Sequence, residues 1–151
     1  MNFIVLKEMI LMSTEIKQIL QRGDLNVTKC RIGLLEMFSH SAVALEHRHI
    51  EEGIGNAFDR VTIYRTLNTF LGKGIIHKIP TLDGTIKYGL CQDNCTDHKH
   101  HIDNHIHFIC HSCGNTQCLQ QVVVPNIGLP LGFLPTKADV IVQGLCKTCN
   151  K

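Results

Sequence analysis

The sequence predicts an α+β protein built from two different halves, and three observations support this fold class. Helix-like segments followed by a hairpin-like pair of strands occupy most of residues 1–90. Seven of the eight cysteines lie in residues 91–151, and six of the ten histidines fall between His98 and His111. Residues 1–90 hold 11 of the 15 lysines and arginines, although the net charge of the chain is only +2. This distribution predicts a mildly basic helical half and a small β-rich, metal-binding half.

The bulk composition is that of a folded soluble protein, with 44% hydrophobic and 19% charged residues. The apolar stretch MNFIVLKEMILM is too short to span a bilayer, contains Lys7 and Glu8, and lacks the small-residue cleavage site of a signal peptide. We therefore expect a cytoplasmic protein with no membrane partner, in which clustered cysteines bind metal more often than they form disulfides. Met12 is a second reasonable start, which makes residues 1–11 a candidate upstream extension.

Three helices are predicted before residue 55 from apolar spacing and capping residues. Ser13 is a candidate N-cap for the first helix, which Gly23 would end. Thr28 is a candidate N-cap for the second helix, and the third covers about residues 46–54. The positions expected to face the core are Ile16, Ile19, Leu20, Ile32, Leu35, Phe38, Ile50 and Ile54.

The fourth predicted helix, DRVTIYRTLNTFLGKG at residues 59–74, precedes a hairpin. Asp59 is its candidate N-cap. The segments IIHKI and TIKYGL predict two strands joined by the turn LDG at residues 82–84. Helices followed by such a hairpin are typical of a winged helix, whose last helix enters the major groove of DNA, although a generic small α+β domain has the same pattern. Val61, Tyr64, Leu67 and Leu71 fall at i, i+3, i+6 and i+10, a spacing typical of a helix.

Polar groups on the fourth helix are candidates for contact with DNA. Arg65 could pair with a guanine edge or a phosphate, and Tyr64 could reach a phosphate or a thymine methyl group. The alternatives are an Arg65 that is only solvated and a Tyr64 that packs in the core. Thr62, Thr66 and Asn68 lie on the same helix.

The second half is predicted to be β-rich. Residues 91–104, CQDNCTDHKHHIDN, are polar and aperiodic, which is typical of a linker or a metal-binding loop. Residues 105–110, 116–124 and 139–146 have the composition of strands. Three prolines between residues 125 and 135 make a long helix there improbable.

Two Cys-x-x-Cys pairs predict a closed metal site in this half. Cys110 and Cys113 lie in HFICHSCGN, and Cys146 and Cys149 lie in GLCKTC. Two such turns supply the four thiolates of a structural zinc site, which leaves no position open for a substrate. A thioredoxin-like redox pair and free cytosolic thiols are the alternatives. A redox motif does not need a second copy, however, and this half has little apolar bulk with which to fold unaided.

A second metal site is predicted from the ligands that remain. Strand alternation places His105 and His107 on one face of HIHFIC. Cys118, with Cys91 or Cys95 from the upstream loop, could join them in a set soft enough to favour zinc over iron(II) or manganese. The alternative is a pair of solvent-exposed histidines.

His47 and His49 on the third predicted helix are either surface residues or ligands that the first half lends to this second site. The histidines at positions 98, 100 and 101 are weaker candidates for this second site, since a histidine-rich loop can bind metal only weakly.

Several motifs, in the right order, resemble the ferric uptake regulator family. LNVTKCRIGLLEMF resembles the opening of the family, with Thr28 and Arg31 three apart, and RVTIYRTLNTFLGKGIIHKI resembles its recognition helix and wing start. HIHFICHSCGN and GLCKTC resemble its His-x-His-x-x-Cys-x-x-Cys-Gly motif and its terminal Cys-x-x-Cys. The similarity spans about residues 13–149.

The resemblance implies a winged-helix DNA-binding domain at 13–90, a hinge and metal loop at 91–104, and a metal-binding dimerisation domain at 105–151. It implies a metal-responsive repressor of metal-uptake genes, which binds a palindromic operator in double-stranded DNA as a homodimer when its sensory metal is bound. No small organic substrate is expected.

The resemblance also implies roles for individual residues. Cys118 falls where many members have a glutamate of the sensory site, and Gly89 falls about where iron sensors often have another. The usual histidine before the third helix aligns with Ala44, so His47 is a candidate substitute. The implied sites are structural zinc at Cys110, Cys113, Cys146 and Cys149; a regulatory ion at His105, His107, Cys91, Cys118 and His47; and DNA contacts at Thr28, Arg31, Arg60, Thr62, Tyr64 and Arg65.

The expected regulatory ion is zinc, with iron(II) next, because cysteines replace carboxylates in this set. A peroxide-sensing regulator of the same family is the alternative function. A small zinc enzyme is disfavoured, since residues 91–151 contain no glutamate and no His-Glu-x-x-His signature.

Overall fold

The computed structural model describes residues 3–81, 83–91, 106–119, 121–122, 124, 126–135 and 138–151, with side chains from residue 13 onward. The first half contains helices α1 (Phe3–Arg22), α2 (Lys29–His40), α3 (His47–Ile54) and α4 (Arg60–Gly72), a short 3-10 turn (Gly55–Ala57), and strands β1 (Leu45–Glu46), β2 (Ile76–Pro80) and β3 (Ile86–Leu90). The second half contains strands β4 (Ile106–Cys110), β5 (Thr116–Leu119) and β6 (Val140–Gly144).

Capping residues fix where two of the helices begin. The Thr28 hydroxyl accepts a hydrogen bond from the Arg31 amide at 3.4 Å, and an Asp59 carboxylate oxygen accepts one from the Thr62 amide at 2.9 Å. Both caps confirm the prediction. The prediction for Ser13 is wrong, because α1 begins at Phe3 and passes through Ser13. The preceding residues contain no glycine or proline that would end a helix.

The buried face of α4 contains only some of the residues whose spacing predicted the helix. Ile63, Leu67 and Phe70 are at most 2% exposed, whereas Val61 and Tyr64 are 56% and 58% exposed. Of the residues whose spacing predicted the helix, Leu67 is thus buried, whereas Val61 and Tyr64 are exposed, and Tyr64 stays a candidate for contact with DNA. Positions i, i+4 and i+7 form a straighter stripe along a helix than the predicted i, i+3, i+6 and i+10. Tyr64 therefore projects from the outer face of α4.

One apolar core joins the four helices to the first sheet. Its buried members are Ile16, Leu20, Cys30, Leu34, Leu35, Phe38, Ile50, Ile63, Leu67, Phe70, Ile75 and Ile76. The sheet has the order β1-β3-β2 and is antiparallel throughout, and β1 is an addition to the predicted hairpin. Gly84, with φ of 80°, takes the turn conformation that a residue with a side chain rarely adopts.

The second sheet has the order β5-β4-β6, with β4 in the middle. β4 runs antiparallel to β5 and parallel to β6. The carboxyl ends of β4 and β6 therefore lie at the same edge of the sheet. Residues 126–135 form neither helix nor strand, as the prolines predicted.

Hydrogen bonds in the described part of the chain connect its two halves. The Ala44 amide donates to the Thr116 carbonyl at 2.7 Å, and the Lys87 ammonium donates to the Gly114 carbonyl at 2.6 Å. Ala44 precedes β1, and Lys87 lies on β3, so the first sheet is tied to the start of β5 and to the turn before it. Within the described residues, no helix is both long and apolar enough for a membrane span.

Candidate metal centres

The two Cys-x-x-Cys turns meet at one edge of the second sheet. Cys110 ends β4 and is fully buried, and Cys146 follows β6. The ligand atoms of Cys110, Cys113, Cys146 and Cys149 all lie within 4.8 Å of one another. The Cys113 and Cys146 sulfurs are 3.8 Å apart, and two thiolates on one tetrahedral zinc ion lie about 3.8 Å apart. The donor set and its spacing therefore fit zinc.

Backbone amides shape this first centre. The Cys146 amide donates to the Cys110 sulfur at 3.4 Å, and the Gly114 amide donates to the Cys110 carbonyl at 2.8 Å. Gly114 has φ of 72°, which lets the chain turn sharply after Cys113. Cys149 is held by a bond from its amide to the Cys146 carbonyl at 3.0 Å. Each turn is thus closed by main-chain bonds that do not depend on a metal.

The thiols of this centre have opposed pKa shifts. Backbone hydrogen bonds from Cys113 and Cys146 lower the pKa of Cys110 to about 6. For Cys149, the Ser112 hydroxyl lowers the pKa, but the Cys146 and Cys113 sulfurs and burial outweigh it and raise the pKa to about 12. Four crowded sulfurs cannot all ionise without a cation among them, which is the behaviour of a metal centre.

A second cluster forms where the two sheets meet. It contains His77 on β2, His107 on β4 and Cys118 on β5, with ligand atoms within 4.8 Å of one another. The Cys118 sulfur lies 3.5 Å from His77 Nε2 and 3.6 Å from His107 Nδ1. A nitrogen and a sulfur ligand of one tetrahedral zinc ion lie about 3.6 Å apart. His77 is 6% exposed and His107 is fully buried, so the cluster lies inside the protein.

The structure brings together only part of the predicted regulatory set. His107 and Cys118 lie opposite each other on β4 and β5. Cys91 adjoins the cluster, with its sulfur 3.3 Å from His77 Nδ1, but it is not one of the three grouped ligands. His105 and Cys95, like the other histidines of the polar loop, lie outside the described residues.

His47, predicted to be either a surface residue or a ligand of the second site, pairs along its own helix. Its Nε2 lies 3.3 Å from a Glu51 carboxylate oxygen one helical turn further along α3, and it does not join the described cluster. His49 is exposed on the same helix. Residues at i and i+4 of a helix are neighbours, so His47, the first residue of α3, pairs with Glu51 on the same helix.

Sequence reasoning missed His77. His77 lies in the apolar strand IIHKI with no second candidate ligand close to it in sequence, because the residues that it meets come from β4 and β5, far along the chain. The available signal was the hairpin register, which places His77 directly opposite Gly89 on β3. A glycine opposite an imidazole leaves space for the ring on one side of the sheet.

The predicted DNA-contacting residues lie on two helices. On α4, Tyr64 and Arg65 are exposed, and the Thr62 hydroxyl donates to an Asp59 carboxylate oxygen at 2.7 Å. Arg60 is 87% exposed, with its Nε 3.7 Å from a Glu51 oxygen. Thr28 caps α2. Arg31, in the first turn of α2, donates to the Asn26 carbonyl at 2.6 Å.

Comparison with known proteins identifies the family. The model of the "Ferric uptake regulator family" matches residues 22–127. The chain belongs to the ferric uptake regulator family. A relative, the "Ferric uptake regulation protein" of Staphylococcus aureus, is 33% identical over 139 residues, which cover 88% of this chain and 94% of that protein.

Solved structures support the fold of a ferric uptake regulator. The "holo XcZur" structure has a TM-score of 0.65 and 18% identity, and covers 90% of this chain and 96% of its own. The "Zinc Uptake Regulator Complexed With Zinc AND DNA" has a TM-score of 0.64 and 18% identity, with 93% of each chain covered. Both share the winged helix followed by a small β-rich part.

Membership of the ferric uptake regulator family fixes the class of function. The chain is a metal-responsive transcriptional regulator and not an enzyme, as the sequence predicted. The two candidate metal centres agree with this class, since the four cysteines and the His77, His107 and Cys118 cluster could each hold a metal ion.

Proposed function

We propose that this regulator is a zinc-responsive repressor that binds a palindromic operator as a homodimer when its regulatory site is loaded. The domain limits of the proposal are those predicted from sequence, with the winged helix at 13–90, the hinge at 91–104 and the dimerisation domain at 105–151. The genes it represses would be those for uptake of the same metal.

The second cluster is the observation on which the proposal depends. Its ligands come from both halves of the chain, since His77 belongs to the sheet of the winged helix and His107 and Cys118 belong to the other sheet. Residues that share one ion must keep the spacing that the ion requires, so loading would fix one sheet relative to the other. A regulator needs such a dependence of domain arrangement on ligand, because the effector acts only through its differential affinity for the two arrangements.

Ligand chemistry favours zinc at this cluster. Two imidazoles and one thiolate form a set of borderline and soft donors, and no carboxylate is among the described ligands. Iron(II) and manganese ordinarily recruit more oxygen donors. When bound, zinc supplies a positive centre with a preference for four tetrahedral ligands. His105, which lies outside the described residues, remains the predicted fourth ligand.

We assign the four-cysteine centre to structural zinc. Its ligands, Cys110, Cys113, Cys146 and Cys149, join the ends of β4 and β6, which are also held by strand pairing and by the bond from the Cys146 amide to the Cys110 sulfur. The described apolar core lies almost wholly in the first half, so the second half needs this link for stability.

The outer face of α4 supports DNA recognition by the winged helix. Tyr64 and Arg65 project from that face, while Asp59 caps the helix and leaves its first turn open to solvent. A zinc uptake regulator of similar fold has been solved with zinc and DNA. In a homodimer, two such helices would enter successive major grooves about one turn, ~34 Å, apart.

The experiment is a DNA-binding titration by fluorescence anisotropy on a palindromic promoter fragment. The protein is assayed with zinc, with iron(II) under anaerobic conditions, and with a chelator that leaves the four-cysteine centre loaded. We expect tight binding with zinc alone. Equal binding under all three conditions would disprove a metal-responsive repressor. Tighter DNA binding with iron(II) than with zinc would mean that the sensed metal is iron. Loss of DNA binding when the iron-loaded protein is treated with peroxide would favour a peroxide sensor.

A further inference from the structure

We propose that Lys87 is a positioning residue, which bonds to the turn after Cys113 and so holds the two halves in the arrangement that the regulatory ion needs, before that ion binds. The inference rests on the proposed function, since it concerns the metal-dependent arrangement of the same two halves. It gives the turn of the four-cysteine centre a second role, as a docking point for the winged helix.

The Lys87 ammonium lies in a sheltered position between the two halves. Its side chain is 13% exposed. It donates to the Gly114 carbonyl at 2.6 Å, and a Glu46 carboxylate oxygen lies 3.6 Å away. Glu46 on β1 pairs directly with Lys87 on β3, so the carboxylate is held beside the ammonium. A charge that is largely removed from solvent is stable only with such partners, and hydrogen bonds to charged groups are among the stronger ones in proteins.

Main-chain bonds fix the turn that accepts this hydrogen bond. The Gly114 amide donates to the Cys110 carbonyl at 2.8 Å, and the Cys110 amide donates to the Asn115 carbonyl at 2.9 Å. Cys110 and Cys113 are two of the proposed zinc ligands, so zinc at the four-cysteine centre would fix the same turn further. The Gly114 carbonyl is therefore an acceptor with a defined position, against which Lys87 can hold the first half.

A second hydrogen bond joins the same segment to the first half. The Ala44 amide donates to the Thr116 carbonyl at 2.7 Å, and Thr116 is fully buried. The carbonyls of Gly114 and Thr116 thus bond to the first half, while the Asn115 carbonyl between them bonds to the end of β4. This alternation is that of an extended strand, and β5 is at an edge of the second sheet. The first half therefore covers the outer edge of β5, which would otherwise present unpaired carbonyls.

These two bonds place the ligands of the second cluster before an ion is present. Cys118 follows Thr116 by two residues on β5, and its sulfur lies 3.5 Å from His77 Nε2 on β2. Neither bond uses the side chain of a metal ligand, so both form while the cluster is empty. When only a fraction of the molecules has the competent arrangement, the apparent dissociation constant rises in inverse proportion to that fraction. Loss of the Lys87 bond should therefore weaken binding of the regulatory ion, although Lys87 is not among its described ligands.

Exchange of the Ala44 amide measures the contact between the halves, because its bond to Thr116 must break before the proton exchanges. Exchange is followed by NMR in the full-length protein, with zinc at the four-cysteine centre and the second site empty. We expect Lys87→Met to accelerate exchange at Ala44 at least about 10-fold, and by a larger factor than at the core residues Leu35 and Leu67. The matched control is Lys78→Met, which removes an exposed lysine from β2 and should leave the Ala44 rate unchanged.

A second measurement separates positioning from stability. Zinc binding at the second site is measured by chelator competition without DNA, and Lys87→Met should bind this zinc about 10-fold more weakly than the wild type. At saturating zinc the ion itself holds the halves together, so the affinity of Lys87→Met for the palindromic promoter fragment should stay within about 2-fold of the wild-type value. The opposite pattern, with zinc affinity unchanged and DNA affinity lost at saturating zinc, would overturn the inference.

Glu46→Gln is a second variant, because it keeps the size of the side chain and removes the negative charge beside the ammonium. It should accelerate exchange at Ala44 in the same direction as Lys87→Met, while retention of zinc at the four cysteines shows that the second half is folded. An Ala44 rate that stays at the wild-type value in either variant would refute the positioning role. Equal acceleration at Ala44, Leu35 and Leu67 would also refute it, because Lys87 would then only stabilise the fold.

These results are separable from the outcome of the DNA titration. If DNA binding by the wild-type protein is independent of metal, the proposed function fails, and exchange at Ala44 still decides whether Lys87 holds the halves together. If DNA binding depends on metal and the Ala44 rate is the same in the wild-type protein and in Lys87→Met, the proposed function stands and the inference fails.

Discussion

At the scale of the single residue, Cys110 and Cys149 differ in the pKa of their thiols, although both belong to the four-cysteine centre. Backbone hydrogen bonds from Cys113 and Cys146 give Cys110 a pKa of about 6, so it is ionised at pH 7 in the metal-free protein. Despite the Ser112 hydroxyl, neighbouring sulfurs raise the pKa of Cys149 to about 12, so this thiol is protonated at pH 7. The metal-free centre therefore holds both a thiolate and a thiol that must lose its proton on binding.

We expect the apparent zinc affinity of the four-cysteine centre to rise with pH. Between pH 7 and 8 it rises because Cys149 releases a proton when zinc binds. Below pH 6 it falls more steeply, because Cys110 then also binds a proton in the metal-free state. Chelator competition from pH 5.5 to 8 measures the effect. A profile that stays flat over this range would contradict the opposed pKa values of the two thiols.

At the scale of the element, the two faces of α4 have different surroundings. Ile63, Leu67 and Phe70 pack in the core, and Tyr64 and Arg65 point to solvent. A substitution on one face should therefore change stability, and a substitution on the other should change DNA binding.

We expect Arg65→Ala to weaken operator binding by about 1–3 kcal/mol, or roughly 5- to 150-fold, with little change in the free energy of unfolding. Phe70→Ala should instead destabilise the protein by about 3–5 kcal/mol, because it leaves a cavity in the core. Anisotropy and urea denaturation give the two quantities. The matched control is Arg48→Ala, which removes an exposed arginine already bonded to Glu52 at 2.7 Å. An equal loss of DNA binding in both arginine variants would indicate only a general effect of charge.

Lys87 links two elements from different halves. Its side chain is 13% exposed, and its ammonium lies 2.6 Å from the Gly114 carbonyl and 3.6 Å from a Glu46 carboxylate oxygen. Gly114 directly follows Cys113, so β3 is bonded to the turn that contains two of the proposed zinc ligands.

We expect Lys87→Met to destabilise the protein by about 1.5–3 kcal/mol, which is typical of a hydrogen bond to a charged group. The methionine keeps most of the apolar stem, so the loss is that of the ammonium bonds. Urea denaturation of the zinc-loaded protein measures it. Lys78→Met, at an exposed position of β2, is the control and should have no comparable effect.

At the scale of the whole molecule, we expect the two halves to depend on metal to different extents. In the described parts of the chain, the first half has a continuous apolar core that includes Leu34, Leu35 and Phe70, whereas the second half has three short strands and the four-cysteine cluster. Metal removal should therefore unfold the halves separately.

We expect a strong chelator to abolish amide protection in β4, β5 and β6 while α2 and α4 remain protected. A mild chelator that empties only the second cluster should leave protection in both halves and loosen the contact between them. Hydrogen exchange read by mass spectrometry distinguishes the two stages. Simultaneous loss of protection throughout the chain would mean that the first half does not fold independently of zinc.

The fold could be predicted where its causes are local. Thr28 and Asp59 cap helices through bonds within one turn, and each Cys-x-x-Cys turn is complete within four residues. The family motifs then gave the winged helix. The position of Ser13 inside α1 was missed, and so were Ile63 and Phe70 as buried residues of α4, because several apolar stripes are possible on one helix and only packing selects among them.

The second cluster was predicted only in part for the same physical reason. His107 and Cys118 could be paired because strand alternation and soft-ligand chemistry are readable along the chain. His77 could not, because its role arises where β2 packs against β4 and β5, and the sequence does not state which strands of separate sheets meet. His47 was a candidate only through the family resemblance, as a substitute for the histidine that usually precedes the third helix, and in the structure it pairs with Glu51 on α3.

The close approach of Gly89 to His77 has a consequence for how these positions can change over evolutionary time. A side chain introduced at Gly89 is harmful while the imidazole is present and tolerable once His77 has become small, so the order of the two changes matters. In a double-mutant cycle of His77→Ala and Gly89→Ala, the double variant should lose less free energy of unfolding than the two single variants lose in sum. The order of substitution is therefore constrained: once a lineage has both residues, His77 must be replaced before a side chain can be accepted at position 89.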